Sequence, residues 1–222
     1  MITIFGATGD LSHRKLFPSI FHLYQQDNLD EHIAIIGIGR RDYSNEQFRD
    51  QVKASIQTYV KDTDRIDEFM THVFYHKTDV SDKESYQSLL QFSERLDSEF
   101  ALGGNRLFYL AMAPQFFGVI SDYLKSSGLT QTTGFKLLVI EKPFGSDLKS
   151  AESLNNQIRR SFKEEEIYRI DHYLGKDMVQ NIEVLRFANA MFEPLWNNKY
   201  ISNIQVTSSE VLGVEDLSLI HI

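Results

Sequence analysis

The sequence has 222 residues, of which 42% are hydrophobic and 24% charged, a composition typical of a globular protein with a substantial core. Its net charge of −8, without a basic stripe, argues against nucleic-acid binding. The absence of cysteine excludes disulfides and thiolate metal sites, and no apolar run reaches the ~20 residues that span a bilayer. We therefore expect a cytoplasmic protein that binds neither nucleic acid, membrane nor metal.

Strand-like and helix-like segments alternate along the first 140 residues. Short apolar runs predict strands over residues 2–5, 33–38, 72–76, 106–111 and 135–140. Helical spacing predicts helices over residues 16–24, 44–59, 81–100 and 115–126. Ser44, followed three residues later by Gln47, has the pattern of a capping box. This alternation predicts a Rossmann-like α/β domain with a parallel sheet.

The pattern changes near residue 174. Residues 177–188 have helical spacing, and residues 200–212 are predicted to form a strand. We therefore expect a first domain over residues 1–173 and the beginning of a second over residues 174–222.

The turn after the first strand contains Gly6, Ala7, Thr8 and Gly9. A phosphate can approach such a turn because backbone N–H groups are not screened by side chains and the next helix contributes a favourable dipole. The motif lacks one glycine of G-x-G-x-x-G, and similar turns without a ligand are common. The turn therefore indicates either a nucleotide-binding loop or an ordinary strand-to-helix junction.

An arginine pair ends the second predicted strand, where a dinucleotide-binding protein reads the ribose. An acidic residue there binds the ribose hydroxyl of NAD, whereas an arginine accommodates the 2′-phosphate of NADP. Arg40 is therefore the candidate for the 2′-phosphate, and the nearby Asp42 leaves NAD possible. The alternative is a pair of exposed loop arginines.

A lysine follows the fifth predicted strand in the segment Glu141-Lys142-Pro143-Phe144-Gly145. The proline favours an extended Lys142 at the carboxyl end of a strand, where parallel sheets bind ligands. Lys142 could there hydrogen-bond a substrate hydroxyl. The alternative is a loop lysine paired with Glu141.

The densest group of polar side chains lies between Arg169 and Lys176. If Asp171 and His172 lie on a strand, they point to opposite faces and have separate roles. His172, Tyr173 and Lys176 supply N–H and O–H donors that could converge on one phosphate. The alternative is a loop that enters a helix, with a capping aspartate.

Together these segments resemble the glucose-6-phosphate 1-dehydrogenase family, over about residues 2–215. The resemblance rests on the glycine turn with Arg14, Lys15 and Leu16, on the turn at residues 141–145, and on residues 169–176. It continues through residues 178–181, 185–187 and 210–215. The resemblance implies oxidation of glucose 6-phosphate at C1 to the lactone with hydride transfer to NADP, the first step of the pentose phosphate pathway. It also implies a homo-oligomer and a second α+β domain with a large antiparallel sheet.

The resemblance assigns roles to individual residues. Asp171 matches the aspartate that orients the base histidine, and Lys142 matches a lysine that touches both substrate and cofactor. The residues that match substrate ligands are His172, Tyr173, Lys176, Glu210 and Lys15. The residues that match cofactor ligands are Gly6, Ala7, Thr8, Gly9, Asp10, Leu11, Arg40, Asp79, Val80, Tyr109 and Lys142.

The last residues, 216–222, do not match the family, in which the base histidine lies further along a longer chain. His221 is not in the context of that base. We therefore expect an amino-terminal part that is nearly inactive by itself. The alternatives are another sugar-phosphate or hydroxy-acid dehydrogenase, and a nucleotide-binding fragment or sensor module without chemistry.

Overall fold

The computed structural model describes residues 1–141, 144–171 and 173–207. The chain divides into two compact units, residues 1–170 and residues 171–222. The boundary predicted at residue 173 stays a prediction.

The first unit is built on a six-stranded, entirely parallel sheet. Its strands are β1 (Ile2–Phe5), β2 (Ile35–Gly39), β3 (Val73–Lys77), β4 (Arg106–Leu110), β5 (Lys136–Glu141) and β6 (Ile167–Ile170). They lie in the order β3-β2-β1-β4-β5-β6. This is the strand order of doubly wound dinucleotide-binding folds, so the predicted Rossmann-like class is confirmed.

Helices cover both faces of this sheet. They are α1 (Phe17–Gln25), α2 (Asn45–Tyr59), α3 (Ile66–Thr71), α4 (Ser85–Phe100), α5 (Phe117–Ser126) and α6 (Leu148–Ile158). On one face Phe5 and Phe108 pack with side chains of α4, α5 and α6, and on the other Ile4 and Ile35 pack with side chains of α1, α2 and α3. Because both faces are buried, the central strands need continuous apolar runs, which is the signal that identified them.

The predicted capping box is present: the Ser44 hydroxyl accepts from the Gln47 N–H, and the Gln47 side chain accepts from the Ser44 N–H. The five predicted strands are also confirmed, with ends that shift by no more than two residues. The structure adds α3, α6 and β6, which the sequence patterns did not predict.

The second unit contains α7 (Asp177–Phe187), which confirms the predicted helix, and a short 3₁₀ turn at Glu193–Leu195. The predicted strand over residues 200–212 was wrong where it can be compared, because residues 200–207 form no strand. A strand requires a hydrogen-bonded neighbour, and the described part of the chain offers none to this segment. None of the helices in the described ranges is long and apolar enough to cross a membrane.

Candidate active site

The site is positioned by the reversal of strand order at β1. The strand β1 lies between β2 and β4, so connections from β1 and β4 leave toward opposite sides of the sheet. In open parallel sheets a ligand-binding crevice opens at the carboxyl ends of the strands at this point. The glycine turn that follows β1 lies at this edge.

The turn at Gly6 is packed too closely for any other residue. Gly6 has φ +82°, and a Cβ there would lie 2.3 Å from the carbonyl oxygen of Ala111, just beyond β4. The N–H groups of Gly6 and Ala7 both donate to the carbonyl of Ile38 in β2, at 3.2 and 3.0 Å. The turn is therefore tied to the ends of both neighbouring strands.

These contacts decide which backbone donors remain for a ligand. Gly9 N–H donates to the Gly6 carbonyl at 3.0 Å. The N–H groups of Gly6, Ala7 and Gly9 therefore all donate to carbonyl groups of the protein itself. The N–H groups of Thr8 and Asp10 make no hydrogen bond within the described residues. A phosphate at this turn would therefore meet the N–H groups of Thr8 and Asp10, where the helix begins.

The helix after the turn starts with a wide π-helical segment, Ser12–Leu16, before α1 begins at Phe17. Buried Ser12 donates its hydroxyl to the Gly6 carbonyl at 3.0 Å, which anchors the segment to the turn. Asp10 forms an ion pair with Arg14 at 2.9 Å, which offsets a negative charge beside the predicted phosphate position. Lys15 is exposed on this segment, where its ammonium makes no ion pair with any described residue.

Arg40 lies where the sequence predicted a reader of the 2′-phosphate, next to the glycine turn. A Cβ on the preceding Gly39 would be 3.1 Å from the Thr8 methyl group, so the two loops are in contact. Arg40 is exposed, and its guanidinium has no hydrogen bond or ion pair to the described residues. Asp42, the residue that would favour NAD, forms an ion pair with Lys77 at 3.3 Å.

The loop that carries Arg40 is held by a tyrosine that the sequence did not single out. The Tyr75 hydroxyl donates to the Arg41 carbonyl at 2.7 Å, and the Arg41 guanidinium donates to the Tyr43 hydroxyl at 3.0 Å. Burial raises the pKa of Tyr75 to about 12, so its hydroxyl remains a donor at neutral pH. The Arg41 guanidinium is thereby bonded within its own loop. Arg40 is the cation of the pair whose guanidinium remains available to a ligand.

Asp79 and Val80 follow β3 and form the next loop of this edge. The Asp79 carboxylate accepts the Ser81 N–H at 2.9 Å and so stabilises its own turn. Val80 is buried, and its carbonyl accepts the Tyr86 hydroxyl at 3.1 Å. Their predicted role as cofactor contacts stays a prediction.

Tyr109 and Glu141 form a hydrogen bond across the ends of β4 and β5. The Tyr109 hydroxyl donates to Glu141 Oε1, and burial together with this carboxylate raises the pKa of Tyr109. The pair fixes the residue that immediately precedes Lys142 and Pro143, which lie outside the described residues. Tyr109 was predicted as a cofactor contact, and its bond to Glu141 was not foreseen.

The second unit brings together three of the predicted site residues. The Tyr173 N–H donates to Asp171 Oδ1 at 2.9 Å, and the Lys176 ammonium lies 4.4 Å from the centre of the Tyr173 ring. Lys176 immediately precedes α7, which begins at Asp177. His172 and Glu210, predicted as substrate ligands, lie outside the described residues, as does His221.

Comparison with known protein families agrees with this arrangement. A family model described as "Glucose-6-phosphate dehydrogenase, NAD binding domain" matches residues 3–181. The chain belongs to the glucose-6-phosphate dehydrogenase family. The model of the family's C-terminal domain matches residues 183–218, which lie within the sequence of the second unit.

Individual relatives of this family match nearly the whole chain. Glucose-6-phosphate 1-dehydrogenases from Bacillus subtilis and Leuconostoc mesenteroides are 59% and 46% identical to it over 97% of its length. A solved glucose-6-phosphate dehydrogenase in complex with glucose 6-phosphate has a TM-score of 0.80 and 39% identity over 89% of the chain. That from Mycobacterium avium has a TM-score of 0.79 and 32% identity over 97%. The chain spans 44% of the two curated relatives and 41% and 46% of the two solved chains.

A pair of glycine substitutions tests the close packing of the turn. Gly6 and Gly103 both have positive φ, but a Cβ at Gly103 would meet nothing closer than 3.9 Å. Gly103→Ala should lower the free energy of unfolding by about 1 kcal/mol, the backbone cost alone. Gly6→Ala should lower it by about 3 kcal/mol or more, because the methyl group also strikes the Ala111 carbonyl. Urea denaturation followed by far-UV circular dichroism measures both, and equal losses would contradict the close approach.

The Tyr109–Glu141 bond makes a second prediction. Tyr109→Phe should lower the free energy of unfolding by about 1.5–3 kcal/mol, since it leaves a partly buried carboxylate without its donor. Tyr59→Phe is the control, because Tyr59 is exposed, and it should change stability by less than about 0.5 kcal/mol. Thermal unfolding of the two variants compares them, and an unaltered midpoint for Tyr109→Phe would exclude a stabilising bond.

Proposed function

We propose that this chain is the dinucleotide-binding part, with the start of the substrate domain, of an enzyme that oxidises glucose 6-phosphate at C1. The products would be 6-phosphogluconolactone and reduced NADP, in the cytoplasm, as the first step of the pentose phosphate pathway. The observation that carries the proposal is the contact between the glycine turn and the loop of Arg40 at the reversal of strand order. The substrate is inferred from the relatives, which are named glucose-6-phosphate dehydrogenases.

The carboxyl edge of the sheet fits a phosphorylated dinucleotide. A side chain at Gly6 would strike the Ala111 carbonyl just beyond β4, and the unused N–H groups of Thr8 and Asp10 lie at a helix start. Arg40, unpaired among the described residues, supplies a cation for a 2′-phosphate. NADP, when bound, accepts the hydride. Asp42, which could bind the ribose hydroxyl of NAD, is paired with Lys77, so NAD would bind more weakly than NADP.

The substrate phosphate would be held by donors of different kinds. Tyr173 contributes a phenol and Lys176 an ammonium that already lie together in the second unit. Lys15, His172 and Glu210, which match substrate ligands of the family, complete the proposed set. A phosphate dianion is favoured here because each charge-assisted hydrogen bond to it is stronger than a neutral one.

The reaction removes two hydrogens, one from the C1 hydroxyl and one from C1 itself. The hydroxyl proton passes to a base, the C1 hydrogen leaves with its electron pair as hydride, and the C1–O1 bond becomes the carbonyl of the lactone. Lys142 would hydrogen-bond the reacting hydroxyl, and Asp171 would orient the base histidine and stabilise its charged form. No histidine of this chain is assigned as that base.

Cofactor selectivity tests the first half of the proposal. Arg40→Gln should weaken NADP binding about 10- to 100-fold, because it removes the charge that faces the 2′-phosphate, and should leave NAD affinity nearly unchanged. Arg95→Gln, an exposed arginine of α4, is the control for loss of one charge and should change neither affinity. Titration calorimetry measures both cofactors, and equal weakening of NADP and NAD by Arg40→Gln would contradict the assignment.

Binding of the sugar phosphate tests the second half. Lys176→Ala should weaken binding of glucose 6-phosphate about tenfold or more while leaving the much weaker binding of glucose unchanged. Lys199→Ala is a matched control, since Lys199 also lies over a tyrosine ring, that of Tyr200 at 5.1 Å, in the same unit. If NADP binds but glucose 6-phosphate does not, a nucleotide-binding module without chemistry is the better description.

A further inference from the structure

A basic pocket lies at the amino ends of the strands, opposite the edge that carries the glycine turn. The strand β5 runs from Lys136 to Glu141, so at ~3.3 Å per residue its two ends are roughly 17 Å apart. Beside the amino end of β5 is a cavity of about 290 Å³, bounded by the segments after α5 and α6. Five cationic residues line it, Lys125, Lys136, Arg159, Arg160 and Lys163.

The lining of this pocket contains no carboxylate, although the protein carries a net charge of −8. Lys125 and Arg160 form no ion pair within the described ranges. The Lys125 ammonium instead donates to the Arg160 carbonyl, which holds it at the pocket.

The other three cations have carboxylate partners only at long distances. Lys136, Arg159 and Lys163 lie 3.7, 3.8 and 4.0 Å from the glutamates of the 164–166 segment. The partner of Arg159, Glu164, makes its shorter contact with Arg169, at 2.7 Å. The pairs of Arg159 and Lys163 are exposed and contribute little, and only that of Lys136 is mostly buried. With three glutamates near five cations, the positive charge of the pocket is only partly neutralised.

A buried serine also lines the pocket. Ser161 is only 6% exposed, and its Oγ, which is shielded from solvent, has no hydrogen-bond partner among the described residues. Buried hydroxyl groups nearly always have one, because leaving them unpaired costs free energy. The Lys136 ammonium donates to the Ser161 carbonyl at 3.5 Å, which holds a further cation at the pocket.

We propose that this pocket binds a small phosphorylated anion, at a site separate from the carboxyl edge. Arginine and lysine donors match the several acceptor oxygens of a phosphate or diphosphate group. The volume lies at the lower limit of small-molecule pockets, so it fits a phosphate or diphosphate on a small carrier and not a whole dinucleotide.

Titration calorimetry of the 222-residue chain with inorganic pyrophosphate tests this proposal. Arg160→Gln and Lys125→Gln should each weaken binding about tenfold, because each removes one charge-assisted contact. Arg160 is exposed and its side chain makes no hydrogen bond within the described structure, so its replacement should not disturb folding.

Three controls distinguish this site from other anion binding. Lys61→Gln and Arg95→Gln remove exposed charges elsewhere and should leave pyrophosphate affinity unchanged. Arg40→Gln should also leave it unchanged, since that residue belongs to the proposed cofactor site. Absence of pyrophosphate binding at millimolar concentration would overturn the proposal, as would equal losses in the controls or unchanged affinity in Arg160→Gln and Lys125→Gln. Because neither cofactor nor substrate is used, this outcome is independent of the proposed function.

Discussion

The close packing of the Gly6 turn between two strand ends is the constraint on which the candidate site depends. The Ile38 carbonyl accepts two N–H groups of the turn, and the Ala111 carbonyl occupies the space that a side chain would need. The chain can leave β1 only through this narrow turn. As a result the helix start, the unused N–H of Thr8 and the loop of Arg40 meet at one edge.

The parts of the fold that the sequence predicted are those with local signals. Strands buried on both faces, such as β2, appear as apolar runs, and the helix after Ser44 carries its own cap. The strand β6 was not predicted because three of its four side chains are exposed, which leaves a sequence without an apolar run. The helix α6 begins with a capping box at Asp147, but the exposed Leu148 that follows does not mark an apolar face.

In the candidate site, too, the residues with a local sequence signal could be predicted and the others could not. The glycine turn and Arg40 could be located because each directly follows a recognisable strand. The bond between Tyr109 and Glu141 joins residues 32 positions apart, and Tyr75 supports the Arg41 carbonyl from a different strand. Such pairs depend on strand order and register, which short-range patterns do not specify.

The same sheet thus presents two different anion-binding sites, one at each end of its strands. At the carboxyl edge, backbone N–H groups and one exposed arginine are presented by tight turns. At the amino edge, several side-chain cations line one pocket. The first depends on backbone geometry and the second on side-chain charge, so substitutions can alter one without the other.

Hydrogen exchange of the backbone in the presence and absence of NADP tests whether the cofactor binds at the Gly6 turn. Exchange should slow in peptides that contain Thr8 and Asp10 and in the peptide that contains Arg40, with no change around Arg160. Slowed exchange restricted to other parts of the chain, or none at all at saturating NADP, would contradict a cofactor site at the Gly6 turn.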